Sequence, residues 1–246
     1  DRAGLRHELA SLGSQVDPVL VLLAARVSVP ACEADPEGTF RTNVRHTVET
    51  AGDFVEWARE LSADPSVVYV STGHVYAEQP TGTKLTESAP TAPRSVYARS
   101  KLEAEETLGR LAAERGFRLT VARVFGLMAP AQPASYLLPG LIRRVRTDDL
   151  VGIPGLDYVR DYLDARDVCD DLLDLAVAAR EPGSGRSVLN VCSGEGVAIR
   201  DVLETIVRLH DPDDEKGLMS HASAAPGRPT DVPWIVGDPA AFVAFT

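Results

Sequence analysis

Four short apolar runs, separated by segments with helical periodicity, are the feature that most limits the folds open to this chain. They are rich in β-branched residues and do not alternate between apolar and polar side chains: Pro18–Ala25, Ser66–Ser71, Arg118–Val124 and Ser187–Cys192. Continuous apolar runs of this length are typical of strands buried on both faces, as in a parallel sheet covered by helices. The sequence therefore predicts an α/β fold with a largely parallel sheet.

Helical patterns fill the intervals between these runs. They cover Leu5–Leu12, Phe40–Leu61, Tyr97–Arg115, Ser135–Arg146, Asp164–Arg180 and Ile199–Leu209. Segments that contain glycine and proline predict loops at Gln79–Arg94, Ala129–Ala134 and Ala224–Pro233. The chain has 246 residues, 44 % of them apolar, which is enough for one large domain or for a large and a small one.

Charge and cysteine content exclude several classes of partner. A net charge of −11 argues against binding to nucleic acid, because phosphate backbones are bound through clustered cations. No apolar stretch is long enough to cross a bilayer and no secretory leader opens the chain, so we expect no membrane partner and a cytoplasmic location. The three cysteines lack the spacing of a disulfide framework or metal site, so no metal is expected.

One pair of side chains suggests proton-transfer chemistry. Tyr97 and Lys101 stand four residues apart at the start of a helical pattern, so both point from one face of the helix. An ammonium favours the phenolate form of a neighbouring tyrosine, which predicts a proton donor and acceptor near neutral pH. The chain has only three lysines against 22 arginines, so a lysine at this spacing is notable.

A second polar pair follows the buried run that ends in Ser71-Thr72. Open parallel sheets place their chemistry at the carboxyl ends of the strands. Thr72 is therefore predicted to hydrogen-bond the substrate oxygen whose proton Tyr97 transfers. His74 lies two residues further on and has two interpretations: a second acid or base facing the substrate, or a residue that only holds its loop.

These residues occur within a longer pattern. Its segments are Leu23–Ala25, Gly38–Val44, Ser71-Thr72 with Val75-Tyr76, Glu87 with Pro90, Tyr97–Glu105, Arg160–Asp164, Leu189–Gly194 and Arg228–Pro233. Together they resemble the extended short-chain dehydrogenase/reductases of the NAD-dependent epimerase/dehydratase family. Within that family, Gly38–Val44, Asn190–Gly194 and Arg228–Pro233 look most like GDP-4-keto-6-deoxymannose reductases.

The resemblance implies a Rossmann-like, doubly wound parallel sheet and a smaller α/β region that binds the substrate. Residues 1–126 would be the remainder of the dinucleotide-binding domain and 127–246 mainly the nucleotide-sugar region, with strand 187–192 able to return to the main sheet. Such a fold opens with a strand, a glycine turn and a helix, which the chain does not show. The run Gly194-Glu195-Gly196 has Ile199 at the third glycine position and is interpreted as a tight turn. We therefore expect the first strands and the phosphate loop to be missing, the ends to be truncated, and this chain alone to be inactive.

The resemblance also implies a role for each matching residue. The predicted catalytic residues are Thr72, Tyr97, Lys101 and His74. The predicted cofactor contacts are Ala24, Ala25, Asn43, Ser71, Tyr97 and Lys101, for NAD or NADP. The predicted substrate contacts are Thr72, His74, Gly126, Arg160, Arg228 and Asp231. Arg160 and Arg228 would clamp the diphosphate, because guanidinium groups pair with phosphate oxygens in bidentate fashion, and Asp231 would bind a ribose hydroxyl.

Several positions depart from the family pattern. Gly126 stands where the family usually has an asparagine, so one expected substrate contact is absent. Gly73 and His74 replace the acidic pair of sugar-nucleotide dehydratases, which argues against dehydration. The main hypothesis is a reductase that acts on a 4-keto-6-deoxy nucleotide sugar. The alternatives are an epimerase that keeps its NAD and a non-catalytic nucleotide sensor. A homodimer formed through the helices at Phe40–Leu61 and Tyr97–Arg115 is implied by the resemblance.

Overall fold

A computed structural model describes residues 17–130, 132–181, 186–213 and 215–246. The helical pattern at Leu5–Leu12 lies outside these ranges. The main sheet has four parallel strands in the order β1-β2-β3-β7. They are β1 (Val19–Leu22), β2 (Ser66–Thr72), β3 (Arg118–Val124) and β7 (Arg186–Val191). The predicted α/β class and parallel sheet are confirmed.

Helices cover both faces of this sheet. On one face, α3 (Thr47–Glu60) and α4 (Val96–Arg115) form a core with Val67, Tyr69 and Leu119. On the other face, α6 (Ala165–Ala178) and the carboxyl-terminal α9 (Ala240–Phe245) pack on Val68, Ala122 and Leu189. Strands buried from two sides have apolar residues on both faces, which explains why the sequence runs do not alternate between apolar and polar residues.

The first helical stretch is longer and less regular than its sequence pattern predicts. It begins with α1 (Val29–Ala34) and α2 (Pro36–Phe40), continues as a π-helix at Arg41–His46, and runs into α3. Asp35 caps α2 by accepting a hydrogen bond of 2.9 Å from the Gly38 amide, and Pro36 occupies the first turn. π-turns often occur at functional sites, and this one carries Asn43.

The second half of the chain adds a smaller sheet beside the main one. Its path is β10-β6-β4 with β8 paired antiparallel to β6. The strands are β4 (Gly126–Met128), β6 (Val159–Asp164), β8 (Gly196–Ala198) and β10 (Trp234–Ile235). The remaining elements are α5 (Leu137–Arg146), β5 (Ile153–Pro154), α7 (Ile199–His210), α8 (Glu215–Ser220) and β9 (Ala224–Ala225). A separate apolar cluster that includes Leu141, Leu156 and Leu203 forms their core.

Asp161 ties these elements together. Its carboxylate is 1 % exposed and accepts hydrogen bonds from the amide and hydroxyl of Ser193 (2.8 and 2.7 Å), the amide of Gly194 (3.0 Å) and the amide of Gly237 (3.2 Å). It therefore joins β6 to the turn after β7 and to the segment after β10. A buried carboxylate is stable only when its oxygens are satisfied, and here all four donors converge on it.

We expect Asp161→Asn to lower the free energy of unfolding by about 2 kcal/mol. An amide offers only one acceptor oxygen, so its NH₂ group would face a backbone N–H instead of accepting from it. Urea denaturation measures the change. Asp157→Asn, on an exposed carboxylate that pairs with Arg200, is the matched control and should change stability little. Equal stability of the two variants would contradict the structural role of Asp161.

The strand predicted at Pro18–Ala25 is shorter in the structure because its pairing to β2 ends at Leu22. Strand β7 pairs in parallel with β3. None of the helices in the described ranges has the length and apolar character needed to span a bilayer.

Candidate active site

Strand β2 delivers Thr72 to the carboxyl edge of the main sheet. Thr72 is the last strand residue, and its side-chain oxygen accepts a hydrogen bond of 3.3 Å from the amide of His74. This caps the short 3₁₀ turn Gly73–Val75 and fixes the orientation of the threonine. The predicted location of Thr72 at a strand end agrees with the structure.

Helix α4 places Tyr97 and Lys101 beside this strand end. Ser95 caps the helix by accepting from the Ala98 amide at 3.1 Å, and the Glu33 carboxylate accepts from the Val96 amide at 2.7 Å. These contacts fix the first turn, which carries Tyr97 as its second residue, and Lys101 follows one turn later. Capping at this end therefore controls the position of the proposed acid.

The environment of Tyr97 differs from the sequence prediction. Burial raises the pKa of Tyr97 to about 12, an interaction with the Thr72 side chain lowers it, and Cys32 and Tyr136 raise it further. Lys101 is not among the groups that shift this pKa, so the expected stabilisation of the phenolate form by its ammonium is not found. Desolvation disfavours the charged form of the phenol. Tyr97 is thus a protonated hydrogen-bond and proton donor at neutral pH.

Lys101 is a buried ammonium without a carboxylate partner among the described residues. The residue is 3 % exposed, and burial lowers the pKa of its amine to about 8, while Glu105 acts in the opposite direction. The Glu105 carboxylate itself pairs with Arg123 at 2.7 Å. The N–H groups of Lys101 therefore remain available to a ligand.

We expect Lys101→Met to raise the free energy of unfolding at pH 7 by roughly 2–3 kcal/mol. The folded pKa of about 8 lies below the ordinary value of 10.5, so the contribution of Lys101 to stability is fully present above pH 10.5 and is lost as the pH falls through about 8. Methionine removes the cost of burying the charge at nearly constant volume.

Urea denaturation of both proteins between about pH 7 and pH 9.5 checks this expectation. The native chain should gain stability across this range relative to the methionine variant. A methionine variant that is less stable than the native chain at pH 7 would contradict the account. Lys84→Met, at an exposed lysine, is the matched control.

Ser71 and Asn43 use their polar groups within the protein. The Ser71 hydroxyl donates to Glu105. Asn43 accepts from the Arg26 amide at 2.7 Å and donates to the Arg26 carbonyl and the Ser100 hydroxyl, both at 2.9 Å. It therefore holds the backbone directly after Ala24 and Ala25, which follow β1 at the carboxyl edge of the sheet. The cofactor contacts assigned to these four residues stay predictions.

A cavity of about 340 Å³ brings together five of the six predicted substrate residues, and Thr72 is the one that is not part of its lining. His74, Gly126, Arg160, Arg228 and Asp231 all line it. The rest of the wall is mainly apolar and aromatic, and includes Val29, Leu127, Tyr136, Tyr158 and Tyr162. Mixed walls with a few placed charges are typical of sites for small organic ligands.

The two arginines of this cavity are positioned differently. Arg160 donates to the carbonyls of Val159 (2.8 Å) and Pro233 (3.3 Å), and its guanidinium lies 5.4 Å from the ring centroid of Tyr158. Arg228 is more exposed and pairs with Asp231 at 3.5 Å. The cavity therefore contains one arginine, Arg160, that hydrogen bonds hold in place, and one more exposed arginine, Arg228. Two cations in one cavity suit an anionic ligand.

His74 is neutral in this setting. The residue is exposed to solvent at this open cavity, and its side chain borders the cavity wall. Partial desolvation by the surrounding protein atoms and the positive charge of Arg160 lower its pKa to about 4, with Asp231 opposing this and Arg228 adding to it. At neutral pH the imidazole is one donor and one acceptor rather than a cation.

The backbone at Gly126 leaves no room for a side chain. Gly126 pairs with Tyr162 across the β4–β6 ladder, and a Cβ atom at 126 would lie 2.6 Å from the Asp161 carbonyl oxygen. The ring of Tyr162 packs against this glycine, and the Tyr162 hydroxyl is buried without a hydrogen-bond partner among the described residues. The asparagine that the family pattern has here cannot be accommodated on this backbone.

Sequence reasoning missed several residues of the site. Cys32, on α1, lies close enough to Tyr97 to affect its pKa, and Tyr136 and Tyr158 form cavity walls. The sequence carried no signal for Cys32 beyond its apolar character. The Arg-Asp-aromatic pattern had pointed only to the segment that contains Tyr162.

Comparisons with known proteins identify the family of the chain. The model of the NAD dependent epimerase/dehydratase family matches residues 5–192. The chain is 27 % identical over 205 residues to GDP-6-deoxy-D-mannose reductase of Pseudomonas aeruginosa, covering 80 % of this chain and 65 % of that protein. It is 28 % identical over 240 residues to UDP-glucose 4-epimerase of Azospirillum brasilense, covering 90 % of this chain and 65 % of that protein. The chain thus spans just under two thirds of the length of these two relatives.

Comparison with solved structures finds proteins with a similar fold. The structure of RMD from Pseudomonas aeruginosa complexed with NADPH superposes with a TM-score of 0.74 at 24 % identity, covering 98 % of this chain and 78 % of that one. A likeness at this identity establishes the fold, which is the Rossmann type predicted. With the family model matching more than half of the sequence, the chain belongs to the NAD dependent epimerase/dehydratase family of extended short-chain dehydrogenase/reductases.

Proposed function

We propose that this chain provides the catalytic and sugar-binding part of an NAD(P)-dependent reductase that acts on a 4-keto-6-deoxy nucleotide sugar. The observation that carries the proposal is a half-buried, protonated Tyr97 that interacts with Thr72. Thr72 lies two residues before His74, which lines a cavity that also contains Arg160 and Arg228. A reductase needs a proton donor at this position, whereas oxidation of a sugar hydroxyl needs a base. Similarity to GDP-6-deoxy-D-mannose reductase of Pseudomonas aeruginosa supports the substrate class.

When bound, a reduced nicotinamide cofactor would supply a hydride for the keto carbon. The electron pair of the carbonyl bond moves onto the oxygen, and Tyr97 donates its phenolic proton to that oxygen. Thr72 orients the same oxygen by hydrogen bonding. The Lys101 ammonium, one turn from Tyr97, stabilises the phenolate that remains.

The residues present fit the ribose and nicotinamide end of such a cofactor. Lys101 keeps its N–H groups for a ribose hydroxyl, because no carboxylate in the described residues engages them. Asn43 fixes the segment that carries Ala24 and Ala25 through two hydrogen bonds to Arg26. We assign residues 1–126 to cofactor binding and 127–246 mainly to the sugar nucleotide, with β7 completing the main sheet.

Arg160 and Arg228 are proposed to bind the diphosphate. The two guanidinium groups share the cavity with His74, which is neutral and so can hydrogen-bond a sugar hydroxyl without repelling the arginines. Asp231 is proposed to accept from a ribose hydroxyl.

The surroundings of residues 73 and 74 also argue against dehydratase chemistry. A Cβ atom at Gly73 would lie 3.0–3.1 Å from the Phe125 ring, so a side chain at this position would require a small shift of that ring. The neighbouring position holds the neutral His74 and supplies no carboxylate.

The experiment follows nicotinamide absorbance with GDP-4-keto-6-deoxymannose and either NADH or NADPH. It uses this chain and, in parallel, this chain joined to the amino-terminal segment of the Pseudomonas aeruginosa relative. Stoichiometric loss of the reduced nicotinamide signal supports the proposal and identifies the preferred cofactor. A changed sugar without net loss would establish an epimerase, an activity found in the Azospirillum brasilense relative. Cofactor binding with no change in any sugar nucleotide would establish a non-catalytic sensor.

We expect His74→Gln to raise KM several-fold with little effect on kcat, since we give His74 a binding role. Because the pKa of His74 is lowered to about 4, it stays neutral as the pH falls through 6.5, and kcat/KM should show no inflection there. A pH profile of kcat/KM for both proteins checks this. A loss of kcat with an acidic inflection that disappears in the variant would show instead that His74 is a second acid or base.

A further inference from the structure

Lys101 faces the ring of Tyr69, a residue that no motif singled out. Tyr69 lies in β2, two residues before Ser71, and is 1 % exposed. The Lys101 Nζ lies 4.4 Å from the centroid of its ring. A cation at this distance over an aromatic face is attracted by the negative charge density of that face, most strongly where water is excluded.

The hydroxyl of Tyr69 does not explain why a tyrosine occupies this position. The Tyr69 oxygen is buried without a hydrogen-bond partner among the described residues. Burial, with Tyr97 and Glu105 nearby, raises the pKa of Tyr69 well above its usual range, so the ring stays neutral. An unpaired buried hydroxyl is unfavourable, and the contact that does explain the position is the one between ring and ammonium.

Other charges around this contact are already paired. Glu105, on the same helix as Lys101, accepts three hydrogen bonds from Arg123 of β3 at 2.7–3.2 Å and one from Ser71. Tyr97, one helical turn before Lys101, is protonated at neutral pH. The ammonium therefore lies in a buried site against an aromatic face, and the nearby Glu105 carboxylate is engaged by Arg123 and Ser71.

We propose that Tyr69 is a positioning residue whose ring keeps Lys101 in its charged form and holds it beside Tyr97. A carboxylate in its place would bind the ammonium directly and withdraw it from a ligand, whereas a neutral ring stabilises the charge and leaves the N–H groups unbonded. The contact itself is independent of the proposed function, which supplies only the catalytic use of Lys101.

The test measures the pKa of the Lys101 amine by nuclear magnetic resonance of the chain labelled with ¹³C and ¹⁵N in lysine. The sequence has only Lys84, Lys101 and Lys216, so three signals are expected, and Lys101→Arg assigns the one of interest. Tyr69→Phe keeps the ring and should leave the pKa of Lys101 unchanged. Tyr69→Leu removes the ring and should weaken proton binding by Lys101 about tenfold.

Two controls separate this effect from loss of packing. Phe54→Leu changes another buried ring of the same core, 2 % exposed, and should leave the Lys101 titration unchanged. Incorporation of 3,4,5-trifluorophenylalanine at position 69 withdraws charge from the ring face at nearly constant shape, and should lower the Lys101 pKa even if the leucine variant fails to fold.

An identical Lys101 pKa in the phenylalanine and trifluorophenylalanine proteins would overturn the proposal. So would an equal decrease in Phe54→Leu. A decrease that follows ring charge supports it whether or not the chain turns over a sugar nucleotide, so failure of the proposed function is distinguishable from failure of this inference.

Discussion

Tyr97→Phe is expected to lower kcat by roughly 10²–10⁴-fold, the range that a positioned general acid contributes. The phenol is the group that interacts with Thr72 at the strand end, and phenylalanine keeps the ring while removing the proton. Cofactor binding should remain largely intact, because Lys101 is untouched. Loss of one neutral hydrogen-bonding group should lower the free energy of unfolding by about 1 kcal/mol.

Tyr136→Phe is the matched control for this variant. Tyr136 lines the cavity and is close enough to Tyr97 to affect its pKa, but it is 37 % exposed and has no proposed part in proton transfer. Steady-state kinetics of both variants, with thermal unfolding to show that each is folded, separates a chemical role from a general effect on the cavity. Full activity of Tyr97→Phe would exclude the proposed acid.

The second large effect concerns stability. Arg123→Met should lower the free energy of unfolding by about 3–5 kcal/mol, because it leaves the Glu105 carboxylate buried without its charge partner. Arg123 and Glu105 are 6 % and 1 % exposed, and the pKa of Arg123 is raised because the stabilisation by Glu105 outweighs desolvation, the largest single cause, which lowers it. The guanidinium also lies 4.8 Å from the ring centroid of Tyr76.

The double variant Arg123→Met/Glu105→Leu should recover most of this loss, because a pair of apolar residues needs no charge compensation. Chemical denaturation of the single and double variants measures the coupling. A double variant that is less stable than Arg123→Met would contradict this expectation. It would show that the hydrogen bond from Ser71 to the Glu105 carboxylate contributes more to stability than the pairing of that carboxylate with Arg123.

The main sheet could be predicted from sequence because burial on both faces leaves a simple signature. The runs at Ser66–Ser71 and Arg118–Val124 match β2 and β3 within one residue. The smaller sheet left no such signature, because its strands are two to six residues long and are held by contacts such as those of Asp161. The sequence pattern within one short segment does not predict the hydrogen bonds that this segment makes with segments distant in sequence.

The candidate site, too, could be predicted from the sequence only in part. Tyr97, Lys101 and Thr72 could be identified because their spacing relates directly to a helix face and a strand end. The protonation state of Tyr97 could not, because it depends on how far the packing of segments distant in sequence desolvates the phenol. For the same reason the sequence paired the Lys101 ammonium with the phenol of Tyr97, whereas in the structure the ammonium lies over the ring of Tyr69.

The closeness of Gly126 to the Asp161 carbonyl oxygen limits how this cavity can diverge. Any side chain at position 126 would clash with the backbone before it reached a ligand. Single substitutions there would therefore be selected against because they impair folding, whatever their effect on substrate recognition. New sugar preferences must therefore arise through neighbours that can vary independently, such as Tyr162, Tyr158 and His74. In a library that randomises the whole cavity, position 126 should stay glycine while the aromatic positions around it diversify.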